Sequence, residues 1–374
     1  MPCYVIDERA LVRNLEILGG VAARTGARIL LAQKAFSCAA AYPLCARYLA
    51  GTTASSLFEA LHGKRHFPGE VHVFSPAFLP EEMPELLRAV DHVVFNSPRQ
   101  VARFAPAARA AGVSPGLRVN PGVSVAATPA YDPCRPGSRL GTSRADLNAA
   151  GGEVLSLIEG LHFHALCEQG ADELEQVLNG FVERFGDLVG RMRWVNFGGG
   201  HHITRPGYDL AKLERLIRDF RARWPGPVLY LEPGEAVALD AGTLEAKVLE
   251  IQPRGPDGVA NAILDVSAAC HMPDVLEMPY TPRVTGAAIG PGGPCVYRFG
   301  GPTCLAGDEI GTYSFPAPLT EGATVVFEDM AIYSMVKNNT FNGVNLPDIV
   351  WQRPDGSRET LRAFGYDDFA SRLG

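Results

Sequence analysis

Short apolar runs rich in Val, Ile, Leu and Phe recur along the chain as far as Leu231, separated by longer stretches in which apolar residues return every three or four positions. The first pattern suits strands buried on both faces, and the second suits amphipathic helices packed over them. The strand-like runs are Arg28 to Ala32, Tyr48 to Ala54, Val71 to Ser75, His92 to Asn96, Gly116 to Asn120, Gly160 to His164, Arg193 to Phe197 and Val228 to Leu231. Between them, segments such as Asp172 to Leu178 and Leu210 to Trp224 carry helical spacing on a charged background. Eight strands alternating with helices over roughly 210 residues predict an α/β fold, a (β/α)8 TIM barrel, with reactive groups at the C-terminal ends of the strands.

From about Gly242 the texture changes to β-type runs and Pro/Gly turns, including Ala246 to Gln252, Ala262 to Val266, Gly311 to Phe315 and Thr324 to Phe327. The expected organisation is a barrel over residues 21–241 and a mostly β domain over 242–374. Residues 1–20, which include the run Cys3 to Ile6, are expected to join the β domain. The Pro/Gly-rich stretch 121–141 is too long for a simple connection, so it is expected to be functional or poorly ordered.

The 374 residues carry 34 Lys plus Arg and 41 Asp plus Glu, a net charge of −7. That balance, with no basic run longer than Lys64-Arg65, argues against nucleic acid as a partner, because phosphate binding needs clustered positive charge. No apolar run approaches the ~20 residues of a membrane span, and the N-terminus lacks the pattern of a secretory signal. The eight cysteines are dispersed without a C-x-x-C pair, which points to a reducing, cytoplasmic setting rather than a disulfide framework.

Candidate chemistry follows the strands. Lys34 comes just after the first, where partial desolvation lowers an amine's pKa and suits it to Schiff-base chemistry. Gly198, Gly199 and Gly200 follow the seventh and leave backbone N–H groups free to converge on an anion such as phosphate. Glu232, at the eighth, can hold a proton on a heteroaromatic nitrogen. His162 and His164 share one face of the sixth run, with His164 placed to stack on a ring. Together these are the parts of a pyridoxal phosphate site.

With these residues, Ser138-Arg139-Leu140-Gly141, Gly301-Pro302-Thr303-Cys304 and Asp329-Met330-Ala331-Ile332-Tyr333, the chain resembles the fold-type III pyridoxal phosphate decarboxylases, which share an alanine racemase-like barrel and β domain. The resemblance implies that Lys34 holds the cofactor, His164 stacks on its ring, Glu232 meets the ring nitrogen, and Gly198 to Gly200 with Tyr333 hold the phosphate. It also implies that Cys304 returns a proton to Cα in the site of a neighbouring subunit, making a homodimer the functional unit, with no metal. Four stretches, His164-Ala165-Leu166-Cys167-Glu168, Glu232-Pro233-Gly234-Glu235-Ala236, Asp265 to Asp274 and Lys337 to Gly343, resemble the branch acting on carboxylated polyamines such as carboxynorspermidine and carboxyspermidine. Glu235, Asp265, Asp274 and His271 are then expected to bind the substrate, since an ammonium needs a charge-assisted acceptor. Glu235 stands where ornithine and diaminopimelate decarboxylases usually carry Arg, so another donor must help hold the phosphate.

Three alternatives stay open on the sequence. One is decarboxylation of diaminopimelate or ornithine. Another is a metal-dependent hydrolase using His162, His164, His201, His202 and Asp265. The third is a non-catalytic pyridoxal phosphate carrier.

Overall fold

The computed structural model describes residues 1–126 and 128–374. It divides into two units, Asn14–Val237 and Met1–Arg13 with Ala238–Gly374.

In the first unit eight parallel strands close into a barrel: Arg28–Ala32, Gly51–Ala54, Glu70–Phe74, His92–Phe95, Ser114–Arg118, Gly160–His162, Trp194–Asn196 and Val228–Leu231. The last closes on the first, Tyr230 lying opposite Arg28 and Leu231 opposite Ile29. All eight expected runs hold a strand, six of them with shifted ends. The Tyr48 amide closes a turn onto the Cys45 carbonyl, so the second strand starts only at Gly51. The sixth ends at His162, which places His164 in the following loop rather than in the strand.

Outer helices form where the spacing predicts them. Ala171–Val189 buries Leu174, Val177, Leu178, Phe181, Phe185 and Leu188, and Leu210–Arg223 begins where Asp209 accepts the Lys212 amide at 2.8 Å. Inside the barrel, Trp194 crosses the floor beside Leu30, Val94 and Tyr230 and donates its indole N–H to Ser114 Oγ at 2.9 Å. Its ring fills the space that side chains at Gly116 and Gly160 would occupy. A Cβ on Gly160 would lie 2.1 Å from the indole ring, and one on Gly116 2.3 Å from it. Gly160→Ala is therefore expected to destabilise the protein by about 3 kcal/mol, since the buried ring has nowhere to retreat. Denaturant unfolding checks this; a change under about 0.5 kcal/mol, the size usual for a neutral surface substitution, would show that Trp194 can move aside.

The second unit is a nine-stranded sheet. Cys3–Asp7 pairs antiparallel with Gly242–Gln252 and parallel with Asp348–Gln352. Beyond Gly242–Gln252 come Ala260–Leu264, Cys295–Gly300, Glu309–Phe315 and Ala288–Ile289, while Thr324–Glu328 also pairs with Gly242–Gln252. Tyr4, Leu244, Phe299, Tyr313 and Phe327 are buried together at its core. The four expected runs are strands here. Arg358–Arg362, Arg-Glu-Thr-Leu-Arg, is an edge strand that gives no apolar signal, because backbone pairing with Asp348–Gln352 holds it and almost none of it is buried.

Ala127 of the 121–141 stretch lies outside the described residues. The rest is tied down: Asn96 donates to the Arg139 carbonyl at 2.8 Å and accepts the Gly141 amide at 2.7 Å, and Cys134 and Asp132 are buried.

Candidate active site

Barrel register gathers four polar side chains at the C-terminal mouth. Arg118 pairs across the ladder with His162, and His162 with Asn196, while Asn196 stands opposite Tyr230, two residues before Glu232. Each is the last inward position of its strand or the first beyond it. Glu232 is buried and accepts hydrogen bonds from His162 Nε2 at 3.0 Å and Asn196 Nδ2 at 2.8 Å. Burial alone would raise its pKa, but His162 first, then His72 and Thr53, outweigh that and hold it at about 2. Burial in turn lowers the pKa of His162 more than Glu232 raises it, so a neutral imidazole donates to an ionised carboxylate. Phe74 stacks on the His162 ring, and the Arg118 guanidinium lies 4.5 Å above the Phe74 centroid. Arg118 also donates to the His164 carbonyl at 2.8 Å. Burial lowers its pKa to about 10, leaving it charged near neutral pH.

Lys34 sits two residues past the first strand on a turn pinned through Gln33. The Gln33 amide bonds the Thr53 carbonyl, its side-chain nitrogen donates to the Glu59 carbonyl, and its oxygen accepts from the Tyr42 hydroxyl. The Lys34 side chain is open to solvent at the mouth yet ringed by protein. Desolvation by that ring, and then the charge of Arg118, push its pKa down against the pull of Glu232 and Glu235. His164 accepts the Gly199 amide on Nδ1 at 3.0 Å, which fixes the ring and leaves its proton on Nε2. Burial, followed by the charge of Lys34, keeps this imidazole neutral.

Gly198 and Gly200 adopt φ of 71° and 84°. Added side chains would collide at all three glycines: a Cβ on Gly199 would lie 2.0 Å from the Glu232 carbonyl oxygen, and one on Gly200 2.0 Å from that of Leu166. The Gly198 amide is already bonded to Asn196 Oδ1 at 2.8 Å and the Gly199 amide to His164. The trio therefore acts first as a close-packed turn that orients Asn196 and His164, and only the Gly200 amide is not engaged in this way. Glu235 turns its carboxylate to His202 Nε2 at 2.7 Å, an arrangement in which it supports the mouth from below the surface.

The histidines weighed as metal ligands have other tasks: His162 holds Glu232, His164 the Gly199 amide, His202 Glu235, and His201 Nδ1 the Tyr208 hydroxyl at 2.8 Å. Asp265 belongs to the other unit.

In the β unit, Cys304 is exposed on a turn held by a residue the sequence did not single out, Asp308. This buried carboxylate accepts from Thr303 Oγ1 at 2.7 Å, Ser267 Oγ at 2.9 Å and the Ala269 amide at 3.2 Å, joining the Cys304 turn to the segment after Asp265. Asn342 Oδ1 accepts the Cys304 amide at 2.8 Å. Tyr333, half-buried, takes a φ of 55°, unusual for a bulky side chain. Of the expected substrate ligands, His271 is fully buried and uses both ring nitrogens internally, accepting the Ser267 amide and donating to the Asn345 carbonyl. It packs the unit and has no nitrogen left for a substrate. Asp265 accepts the Lys247 amide at 2.7 Å, a contact that carries the pairing of Gly242–Gln252 with Ala260–Leu264 one residue further. Asp274 and Glu277 share the Lys337 ammonium, so Asp274 already grips a cation of the kind it was expected to bind.

An amine of lowered pKa, an ionised acid close enough to act on it, a fixed neutral imidazole and a glycine cradle without room for Cβ fit an aldehyde cofactor with a ring nitrogen and a phosphate. Fold and site thus define a pyridoxal phosphate barrel. Residues 3–331 match the family described as pyridoxal-dependent decarboxylase, C-terminal sheet domain. Over 99% of its length the chain is 41% identical to a carboxynorspermidine/carboxyspermidine decarboxylase of Campylobacter jejuni, covering 98% of that protein. It is likewise 41% identical over its full length to a carboxyaminopropylagmatine decarboxylase of Synechocystis, covering 95% of that protein. The crystal structure of carboxynorspermidine decarboxylase from Campylobacter jejuni, complexed with norspermidine, superposes with a TM-score of 0.91 at 40% identity, covering 100% of this chain and 99% of that one. The chain belongs to the pyridoxal-dependent decarboxylases, enzymes that use pyridoxal phosphate.

Proposed function

We propose that this enzyme decarboxylates a carboxylated polyamine, converting carboxynorspermidine to norspermidine or carboxyspermidine to spermidine. The observation that carries the reading is the full-length identity to the Campylobacter jejuni enzyme. The equal identity to the Synechocystis relative supports a second substrate, carboxyaminopropylagmatine. All three share an α-amino acid on an aminopropyl chain and differ in the tail, amine or guanidine. Mass spectrometry of products after incubation with each of the three, and with diaminopimelate and ornithine, tests the proposal. Norspermidine or spermidine in excess, with the two amino acids untouched, is the expected result; turnover of diaminopimelate or ornithine alone would overturn it.

Bound pyridoxal phosphate supplies an electron sink for the pair left behind when CO₂ departs. Lys34 would hold the cofactor and yield it to the substrate amine. Glu232, kept ionised by His162 and Asn196, would keep a proton on the ring nitrogen. His164, locked by the Gly199 amide, would present a flat neutral face to the ring, and the Gly200 amide with Tyr333 would meet the phosphate. Cys304 would return the proton to Cα, serving a second copy of the chain in a homodimer. The same reading places the enzyme in the reducing cytoplasm, where its eight free thiols persist as such.

Cys304→Ala is expected to leave cofactor binding intact and slow turnover by about 100-fold, the scale of a lost general acid. Mixing Cys304→Ala with a Lys34→Ala variant should restore part of the activity, because one hybrid site receives both intact residues. Failure of the mixture to recover activity would assign both residues to one chain's site.

A further inference from the structure

At the N-terminal end of the barrel strands, away from Lys34, lies a polar group that the decarboxylation does not use directly; only His72 bears on the site, through its charge on Glu232. Glu70 opens the third strand and His72 follows two residues on, on the same face; His92 opens the fourth, and the register sets it directly beside His72. The two imidazoles stack with centroids 4.0 Å apart and planes 11° from parallel. One carboxylate oxygen of Glu70 and one ring nitrogen of each histidine lie within 4.8 Å of one another. His72 is wholly buried, and among the described residues neither its Nδ1 nor that of His92 has a hydrogen-bond partner. Such atoms nearly always have one, and each retained exception calls for a cause.

We propose that Glu70, His72 and His92 bind a first-row divalent transition ion, with zinc the leading candidate. Two imidazoles and one carboxylate are the donors such an ion takes, whereas magnesium and calcium prefer oxygen throughout. A cavity of about 600 Å³, lined by Asp91, His92, Trp194 and Tyr230 among others, opens at this mouth and gives the ion a way in and a water for its remaining position. The Glu70 carboxylate is meanwhile held by the Tyr230 hydroxyl at 3.0 Å, His72 Nε2 at 3.3 Å and Arg28 at 2.8 Å. Donors on a tetrahedral ion stand roughly 3.4 Å apart, from bonds of about 2.0–2.1 Å, so binding draws the three side chains together. Arg28, half-exposed on the rim, must give up its hold on Glu70 as they close. Its charge opposes the ion, so removing it should favour binding.

The test uses the cofactor-loaded enzyme, stripped with a chelator and titrated with zinc by calorimetry, with bound metal counted by mass spectrometry and cobalt as a coloured probe of geometry. One zinc per chain is expected. Since groups outside the ligand shell alone change affinity about 10–100-fold, His92→Ala and Glu70→Gln should each weaken binding by about 100-fold or more, and Arg28→Gln should tighten it. Cobalt should show the intense visible bands of a four-coordinate ion, lost in Glu70→Gln. If His92→Ala does not fold, the two rim variants, Glu70→Gln and Arg28→Gln, carry the comparison. Zinc bound equally by wild type and variants is an adventitious ion and overturns the proposal, as does no binding at all.

Discussion

Lys34→Ala is expected to abolish covalent attachment of the cofactor and to lower kcat on the order of 10³-fold or more, because no other amine is prepared in the same way. The Gln33 turn aims Lys34 into the mouth, desolvation and Arg118 lower its pKa, and the nearby carboxylates of Glu232 and Glu235 limit that fall. An unprotonated amine is the nucleophile, so a lowered pKa enlarges its share at neutral pH. Borohydride reduction followed by peptide mapping reads the result directly. Wild type should carry the label on Lys34, and the variant should carry none; a label on another lysine, with activity retained, would move the cofactor's anchor elsewhere.

The second large effect is expected at Glu232. Glu232→Gln keeps the shape but removes the charge, and it also breaks the local hydrogen bonding. His162 Nε2 and Asn196 Nδ2 both donate to the carboxylate, and an amide can present an oxygen to only one of them. The other donor is left facing an NH₂ group in a buried site, which costs about 1–3 kcal/mol. On the proposed role of this charge in protonating the ring nitrogen, its loss should lower kcat on the order of 10²–10³-fold, the scale of losing one electrostatic stabiliser. The cofactor should remain attached to Lys34, so KM and cofactor content should change far less than kcat. Wild-type kcat in Glu232→Gln would take this carboxylate out of the reaction. A normal pH profile in His162→Gln, with kcat close to wild type, would show that Asn196, His72 and Thr53 suffice to keep Glu232 ionised.

The neighbours that prepare Glu232 were only half legible beforehand. His162 was noticed as sharing a face with His164, yet the two end with different tasks, one on Glu232 and the other on the Gly199 amide. Asn196 lies in the run Arg193 to Phe197 without an assigned role, and Arg118 and Asp308 are assigned none. A signal for three of these existed in the chain: Arg118, His162 and Asn196 are polar residues inside largely apolar runs. Asp308 had none, since an acid in a Gly-rich loop reads as surface until its partners Thr303, Ser267 and Ala269 are placed around it. Among the expected substrate ligands, His271 bonds through both ring nitrogens to its own unit, in keeping with the packing role its sequence context also allows, and Asp265 accepts a backbone amide through one oxygen.

By itself the sequence determined the barrel, the sheet-rich second unit and the order of reactive residues after the strands. These follow from apolar periodicity and turn chemistry, which are local properties of the chain. Only the tertiary structure decided which polar groups meet: Glu235 with His202, Asp274 and Glu277 with Lys337, and Arg118, His162, Asn196 and Glu232 in one row. The row depends on the register between strands far apart in sequence, and the other two meetings on where short helices and loops come to lie. A shift of one residue in that register would turn each side chain to the opposite face of the sheet, and no local pattern encodes it.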